Sequence, residues 1–315
     1  MRRSFRLIFS LLLILTSVNI LIFVFRDKGF EYVKYADKSE LYSSDIDSAY
    51  LKKWDSERKK FSQAQLAKGY QLLKDSLGID TIYSEIDKVR KIASLLFEVF
   101  SSQIGIPQDS LNRMDALEQY IYLLENRDKQ LWCGHFQQMF GFFIMSAGFV
   151  NRYVELVPRK NVPVDFHEVN EVYLPGNKSW IMVDVTRNRL ITFEHGKMLS
   201  AAEYWELKQA KEQQTIQVIA GDSVIIEHAT PDHYFNKNYF LRYYHSMDLK
   251  AVYSIKEKLK RYIWQDSWYQ NYDPQHRHSN LLFRIKQLAL FLWIASLILI
   301  LLLFHKLRNR KHRTR

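Results

Sequence analysis

Cysteine is nearly absent from this chain, since Cys133 is the only one in 315 residues. A disulfide framework within the chain is therefore excluded. Glycine and proline are also scarce, with 10 and 6 residues. No glycine-rich phosphate-binding loop occurs, so nucleotide chemistry finds no support. The sequence contains no internal repeat and no low-complexity segment.

Two long apolar runs, residues 7–25 and 288–304, predict membrane-spanning helices. A helix needs roughly 20 apolar residues to cross a bilayer, and both runs are close to that length. The first run could instead be a cleaved signal peptide. It is longer than the ~7–15 apolar residues usual for that role, and no small-residue cleavage site follows it. We therefore expect an uncleaved anchor.

Basic residues lie at the outer flanks of both runs and account for most of the formal net charge of +11. They are Arg2, Arg3 and Arg6 before the first run, and Lys306, Arg308, Arg310, Lys311, Arg313 and Arg315 after the second. Positive flanks remain on the cytoplasmic side. We expect a two-pass protein of the cell (inner) membrane, with both termini cytoplasmic and the segment between the two runs periplasmic or extracellular. The charge thus indicates topology and lipid contact, and no nucleic-acid partner.

Helical periodicity comes first along the chain and strand-like alternation follows, which is typical of an α+β fold. Helices are predicted at 63–77, from 82 to 100 with Asp80 as cap, and at 114–125. A further helix starts at Cys133 and ends at Gly148. Strands are predicted at 151–157, 167–174 and 179–185. After a helix at 200–213, a hairpin is expected at 215–220 and 223–227, around a Gly-Asp turn.

These patterns divide the chain into five expected segments. Residues 1–27 form the N-terminal anchor, and residues 28–112 form a helical linker or subdomain. The core covers residues 113–232. An aromatic-rich segment, residues 233–280, is expected to pack and anchor near the membrane, with a sugar-binding platform as the alternative. Residues 281–315 form the second span and a basic tail.

Cys133 is unusual in two respects, its expected location outside the cytoplasm and its position at the start of a predicted helix. Cysteines normally pair in exported proteins, so an unpaired one is either buried and inert or retained for its reactivity. A cysteine at the first turn of a helix faces unsatisfied N–H groups, which we expect to lower the thiol pKa from its free value of roughly 8.5. His167 and Asp184 follow in chain order on two predicted strands joined by a short turn. A thiol, an imidazole and a carboxylate are the groups of a nucleophile, its base and the residue that orients the base.

Three segments together resemble the transglutaminase-like superfamily of papain-like thiol enzymes, in its membrane-anchored bacterial type. They are the cysteine helix followed by Arg152-Tyr153-Val154, the strand His167-Glu168-Val169-Asn170-Glu171-Val172, and the strand carrying Asp184-Val185-Thr186. The resemblance covers roughly residues 114–190. The chain departs from the family pattern at Val169, where tryptophan is frequent, and at Val185, where proline is frequent.

The resemblance implies a papain-like core of helices on an antiparallel sheet, between the two spans. It implies Cys133 as nucleophile, His167 as general base and then acid, and Asp184 as orienter. The Cys133 backbone N–H is the expected first oxyanion donor, with Gln130 or Trp132 as the second. No cofactor is implied. Hydrolysis would make the protein a peptidase or amidase, and transfer to an amine would make it an acyltransferase.

Other interpretations compete with this one. His135 is more readily a surface or capping residue than the base. The His167-Glu168-x-x-Glu171 sequence lacks the second histidine of a zinc helix, so no metal site is expected. The whole protein could be a catalytically inactive binding or surface-assembly module, or a membrane sensor. The expected substrate is a protein, peptide or cell-envelope amide.

Overall fold

A computed structural model describes residues 2–24, 34–42, 51, 54, 58–159, 166–210, 214–244, 255–263, 269–273 and 280–313. The chain divides into two compact units. The smaller unit comprises Met1–Tyr35, Lys260–Gln265 and Arg277–Arg315, and the larger comprises Ala36–Leu259 and Asp266–His276.

The described helices are α1 (Arg2–Val24), α2 (Lys38–Leu41), α3 (Gln63–Leu77), α4 (Glu85–Phe100), α5 (Ala116–Glu125), α6 (Cys133–Ser146), α7 (Ala201–Gln209), α8 (Ile255–Ile263) and α9 (Leu281–Arg313). The strands are β1 (Val150–Pro158), β2 (His167–Leu174), β3 (Ser179–Val183), β4 (Ile191–Glu194), β5 (Lys197–Met198), β6 (Thr215–Ala220), β7 (Ser223–His228), β8 (Tyr239–Tyr244) and β9 (Tyr269–Tyr272). Short 3₁₀ turns occur at Arg58–Lys60, Ile79–Thr81, Ser101–Gln103 and Leu111–Arg113.

The strands form two antiparallel sheets in the larger unit. One sheet has the order β3-β2-β1-β8-β9 and the other the order β5-β4-β6-β7. Helices precede these strands in the chain, so the α+β class is confirmed.

In the smaller unit, α1 and α9 pair through polar groups. The Trp293 indole donates a hydrogen bond to Thr16 Oγ1 at 2.8 Å, and Asn19 Nδ2 donates to the Ala289 carbonyl at 3.4 Å. Residues Arg6–Val24 and Leu281–Lys306 are long and apolar enough to cross a membrane, by length and composition. Helix α9 thus begins seven residues before the apolar run predicted at 288.

The five-stranded sheet separates two hydrophobic clusters in the larger unit. Alternate residues of β2, such as Val172 and Leu174, pack with α4, α5 and α6. The residues between them, such as Val169 and Tyr173, pack with α7 on the opposite face. Because side chains of a strand alternate between faces, β2 serves both clusters and is buried along its whole length.

Polar contacts attach the central helix α6 to β1 and β2. The Gln137 amide donates to the carbonyls of Val169 and of Val154, the latter at 3.3 Å. In return, Asn170 Nδ2 donates to the Gln137 carbonyl at 3.1 Å. These directional bonds determine how far α6 extends along β2.

A buried ion pair joins β1 and β2 on the α7 side of the sheet. Arg152 and Glu171 are register partners, both fully buried, and their charged groups lie 2.5 Å apart. The guanidinium is surrounded by four aromatic rings at 4.1–4.8 Å, those of Tyr42, Trp54, Trp180 and Tyr243. Glu171 also accepts the backbone N–H of Ala201 at the start of α7 at 2.5 Å. The pair therefore connects the sheet to the helix on this face.

Several sequence predictions are confirmed at the level of single residues. Helix α3 has the predicted bounds and ends at Gly78, whose φ of 59° is left-handed. Strands β2 and β6 also match their predicted ranges. The prediction of Asp80 as a helix cap was wrong, because Asp80 lies in a 3₁₀ turn and Ser84 accepts the N–H of Asp87 at the start of α4.

Strands β8 and β9 lie in the aromatic segment, where the sequence analysis predicted no strands. Trp264 and Trp268 of that segment lie outside the described residues. So do Met1 and Arg315, and the side chains of Arg2, Arg3, Arg308, Arg310, Lys311 and Arg313. The five segment boundaries stay predictions.

Replacing Arg152 with methionine should destabilise the larger unit by about 3–5 kcal/mol, because Glu171 would be left buried without its partner. The measurement is the urea-unfolding midpoint of the detergent-solubilised full chain. Arg90→Met is the matched control. Arg90 pairs at 2.5 Å with Asp222, whose side chain is 94% exposed, so this change should have little effect. Equal losses in both variants would contradict the role given to the buried pair.

Candidate active site

His167 and Asp184 come together at one end of the five-stranded sheet. His167 is the first residue of β2, and Asp184 follows the last residue of β3. Because β2 and β3 are antiparallel with Asn170 opposite Val183, the two side chains are diagonal neighbours. His167 Nε2 lies 2.7 Å from Asp184 Oδ2, and both residues are buried.

The backbone holds the Asp184 carboxylate in place. Its Oδ1 accepts the N–H of Arg187 at 3.2 Å. Asp184 and Arg189 also exchange both backbone hydrogen bonds, at 2.8 and 2.9 Å. With Oδ1 bound to this turn, Oδ2 is directed at the imidazole. A neutral imidazole bonded in this way carries its proton on Nε2 and leaves the lone pair of Nδ1 available.

Cys133 is the first residue of α6 and is partly exposed. Its sulfur lies beside the backbone N–H groups of Glu168 and Gly134. Glu168 directly follows His167, so the thiol and the imidazole reach the same end of β2. Within the described ranges, no hydrogen bond joins Cys133 Sγ to the His167 ring. Contacts of this kind are often long before a substrate is bound.

The side-chain carboxyl group of Glu168 lies against the first turn of α6. A Cβ added at Gly134 would collide with Glu168 Oε2, so glycine at this position makes room for the carboxyl group. Oε2 is buried and has no hydrogen-bond partner among the described residues. Burial raises the pKa of Glu168 well above its ordinary value, and the neighbouring Glu155 adds to the effect. Burial therefore favours the neutral form of this carboxyl group.

The pKa of the Cys133 thiol is raised, whereas the sequence predicted that the start of the helix would lower it. Burial raises the pKa of Cys133, and the nearby carboxylates of Glu168 and Asp184 add to the rise. The backbone N–H groups of Glu168 and Gly134 act in the lowering direction but do not outweigh burial. The expectation of a lowered pKa was therefore wrong, because burial favours the protonated thiol over the thiolate.

His135 has a structural role at the same helix end. Its Nδ1 accepts the N–H of Trp132 at 3.2 Å, and its Nε2 contacts Asn112 Oδ1 at 2.9 Å. His135 is only 1% exposed, so it caps the helix as expected but does not lie on the surface. Burial lowers the pKa of His135 to about 4.

The two predicted secondary oxyanion donors lie on the segment before α6. Trp132 is 36% exposed, and its backbone N–H is already bonded to His135, which leaves only the indole N–H as a donor. The exposed Gln130 amide lies over Gly105, where an added Cβ would come within 2.5 Å of the Gln130 Cδ. Both assignments stay predictions. In the described part of the chain, no group of three or more His, Cys, Asp or Glu side chains could hold a metal ion.

Three residues near the His167–Asp184 pair were not predicted from the sequence. They are Glu168, Arg187 and Tyr234. Glu168 could have been identified from its position beside His167 in a strand predicted to touch the cysteine helix. Arg187 and Tyr234 lie in connecting segments, for which periodicity carries no signal.

Comparisons with known proteins do not assign this chain to a family. No protein-family model matches the chain, and no curated protein matches it. One solved structure, described as "a Putative Cysteine Protease from Cytophaga hutchinsonii", is 18% identical with a TM-score of 0.34. The match covers 60% of this chain and 58% of that chain.

The stability of the larger unit should fall as the pH drops from about 6.5 to about 4, partly because of His135. In that window the unfolded histidine binds a proton that the folded one does not, so acid favours unfolding. His135 contributes about 3 kcal/mol to the free energy of unfolding. This stability is fully present above pH 6.5 and is lost towards pH 4. His135→Gln can still accept the Trp132 N–H but cannot titrate, and should flatten the slope.

The measurement compares urea midpoints at pH 7.5, 6 and 5 for the full chain in detergent. The control is His228→Gln, which alters an exposed histidine on β7. An unchanged slope in His135→Gln would show that another group causes the acid sensitivity.

Proposed function

We propose that this protein is a membrane-anchored, transglutaminase-like thiol enzyme that acts on amide or acyl bonds outside the cytoplasm. The observation that supports the proposal best is the buried His167–Asp184 pair at the end of β2 where the Cys133 thiol also lies. Acyl transfer requires a thiol and an imidazole that can take its proton, with a carboxylate that orients the imidazole.

The first half-reaction acylates the cysteine. His167 Nδ1 takes the thiol proton as Sγ attacks the carbonyl carbon, and Asp184 stabilises the imidazolium that forms. The Cys133 backbone N–H, at the start of α6, is the proposed first donor to the oxyanion. The tetrahedral intermediate then collapses. The C–N bond breaks, the imidazolium protonates the departing amine, and a thioester remains on Cys133.

The second half-reaction restores the thiol. His167 removes a proton from water or from an amine as it attacks the thioester carbon. The C–S bond breaks, and the thiolate regains the proton from the imidazolium. Water releases a carboxylic acid, as in a peptidase or amidase, and an amine yields a new amide, as in an acyltransferase. The substrate is a protein, peptide or cell-envelope amide.

The raised thiol pKa determines which role His167 must play. A preformed thiolate would need the imidazole mainly as a proton source for the leaving group. A protonated thiol depends on general-base removal of its proton at the moment of attack. His167 should therefore be essential to the reactivity of Cys133.

The second candidate is a catalytically inactive binding or surface-assembly module with the same fold. Two observations favour it: the unmade hydrogen bond between Cys133 and His167, and the raised thiol pKa. The candidates differ in one measurable property, because only an enzyme needs the imidazole to activate the thiol.

Iodoacetamide should alkylate Cys133 at pH 7, and His167→Ala should slow the reaction by about 100-fold, the lower end of the range of general-base effects. Asp184→Asn should also slow it, because Asp184 orients the imidazole. Cys133 is the sole cysteine, so mass spectrometry of the full chain in detergent measures this site alone. His228→Ala serves as the control. A slow rate that is indifferent to His167 would leave the inactive module as the better account.

The membrane arrangement is proposed from the two apolar helices and their basic flanks. We propose a two-pass protein of the cell (inner) membrane, with both termini cytoplasmic and the larger unit periplasmic or extracellular.

Reporter fusions at each end test this arrangement. A fluorescent protein that matures only in the cytoplasm should be bright at both termini, and alkaline phosphatase should be inactive at both. An active phosphatase at the C-terminus would contradict the proposed orientation. Loss of the N-terminal tag from the mature chain would show that the first helix is a cleaved signal.

A further inference from the structure

An aromatic ring covers one face of the His167 imidazole. Tyr234 lies between β7 and β8, outside the segments that carry the transglutaminase resemblance. Its ring centroid is 4.7 Å from that of His167, and the two planes are inclined by only 15°. The proposed mechanism gives Tyr234 no role, so this stacking calls for an explanation of its own.

The loop that carries Tyr234 is rigidly built. Asp232 Oδ1 accepts the backbone N–H groups of Tyr234 and Phe235, at 3.0 and 2.9 Å. Phe235 is fully buried and packs edge-on against Tyr204 of α7 at 4.7 Å. With its backbone bonded on one side and its neighbour anchored on the other, Tyr234 has little freedom to leave the imidazole.

The same loop is connected to the carboxylate that orients His167. The Arg187 guanidinium lies 3.3 Å from Asp232 Oδ2, while the Arg187 backbone N–H donates to Asp184 Oδ1 at 3.2 Å. The contacts therefore close a ring that runs through His167, Asp184, Arg187, Asp232 and Tyr234. Lys208 of α7, at 3.8 Å, gives Asp232 a second cation.

The stacked ring has two physical effects on the imidazole. An aromatic face attracts a cation, by about 0.5–2 kcal/mol depending on exposure, so it favours the imidazolium over the neutral ring. It also holds the imidazole plane in the orientation that directs Nε2 to Asp184. Rotation about the Cβ–Cγ bond would break both the stack and the 2.7 Å hydrogen bond.

We propose that Tyr234 is a positioning residue for His167, holding the imidazole plane so that Nδ1 is presented to Cys133 and stabilising the imidazolium formed during acylation. This inference rests on the proposed function. Asp184 bonds to the imidazole, and Asp232, His233 and Arg187 lie on the loop side of the stacked rings. Cys133 and Glu168 lie at the same end of β2, on the α6 side.

The test is the pH dependence of Cys133 alkylation by iodoacetamide in the full chain. Tyr234→Leu removes the aromatic face. It should slow alkylation at pH 7 by about 3- to 30-fold, and it should move the inflection to lower pH by about 0.5 to 1.5 units, because an imidazolium without the aromatic face loses its proton more readily. Tyr234→Phe retains the face and should stay close to the wild type. Tyr70→Leu, which alters an exposed tyrosine on α3, is the matched control and should change nothing.

Tyr234→Met is the second variant, because an unbranched chain fills the gap without an aromatic face. It should behave like Tyr234→Leu. Profiles of both that superimpose on the wild type would overturn the proposal. Loss of folding in both would also overturn it, since the ring would then serve the fold and not His167.

Failure of this inference can be told apart from failure of the proposed function. If His167→Ala leaves alkylation unchanged, the enzymatic proposal itself fails. If His167→Ala slows alkylation but the Tyr234 variants do not, only the role of Tyr234 is lost.

Discussion

The hydrogen bonds between Gln137 of α6 and the neighbouring strands are the constraint on which the candidate site depends. Apolar packing alone would let α6 slide along the sheet, because dispersion contacts have little directionality. The Gln137 amide bonds to the carbonyls of Val154 and Val169, and Asn170 bonds back to Gln137. These contacts fix the position of α6 along β2. Cys133, one turn before Gln137, consequently reaches the strand end that carries His167.

Periodicity and turn signals were sufficient to predict α3, α6, β2 and the order of the three proposed catalytic residues. They failed where tertiary contacts decide the structure. Strands β8 and β9 were missed, because their aromatic side chains were interpreted as packing and anchoring near the membrane, with a sugar-binding platform as the alternative. The four rings around Arg152 come from distant parts of the chain. Periodicity within one segment cannot reveal contacts of that kind.

The thiol of Cys133 shows why a local rule can point in the wrong direction. The terminus of a helix stabilises a nearby anion by about 0.3–1 kcal/mol in exposed positions, and by up to ~2 kcal/mol in partly buried ones. Removing a charged group from water costs several kcal/mol unless it is paired. Burial therefore outweighs the helix terminus and raises the thiol pKa. A sequence reveals the start of the helix but not how deeply it is buried.

Glu168 also affects the charge balance around the Cys133 thiol. Its carboxyl group occupies the space that glycine leaves at position 134, and within the part of the chain that the structure describes its Oε2 has no hydrogen-bond partner. A charged carboxylate there would oppose a thiolate, and a protonated one would not. Burial raises the pKa of Glu168 and so favours the neutral form. The negative charge that develops on Cys133 would then have the His167 imidazolium as its counterion, with the carboxylate of Asp184 on the opposite side of the ring. Burial of Cys133, and not the charge of Glu168, is thus the main cause of the raised thiol pKa.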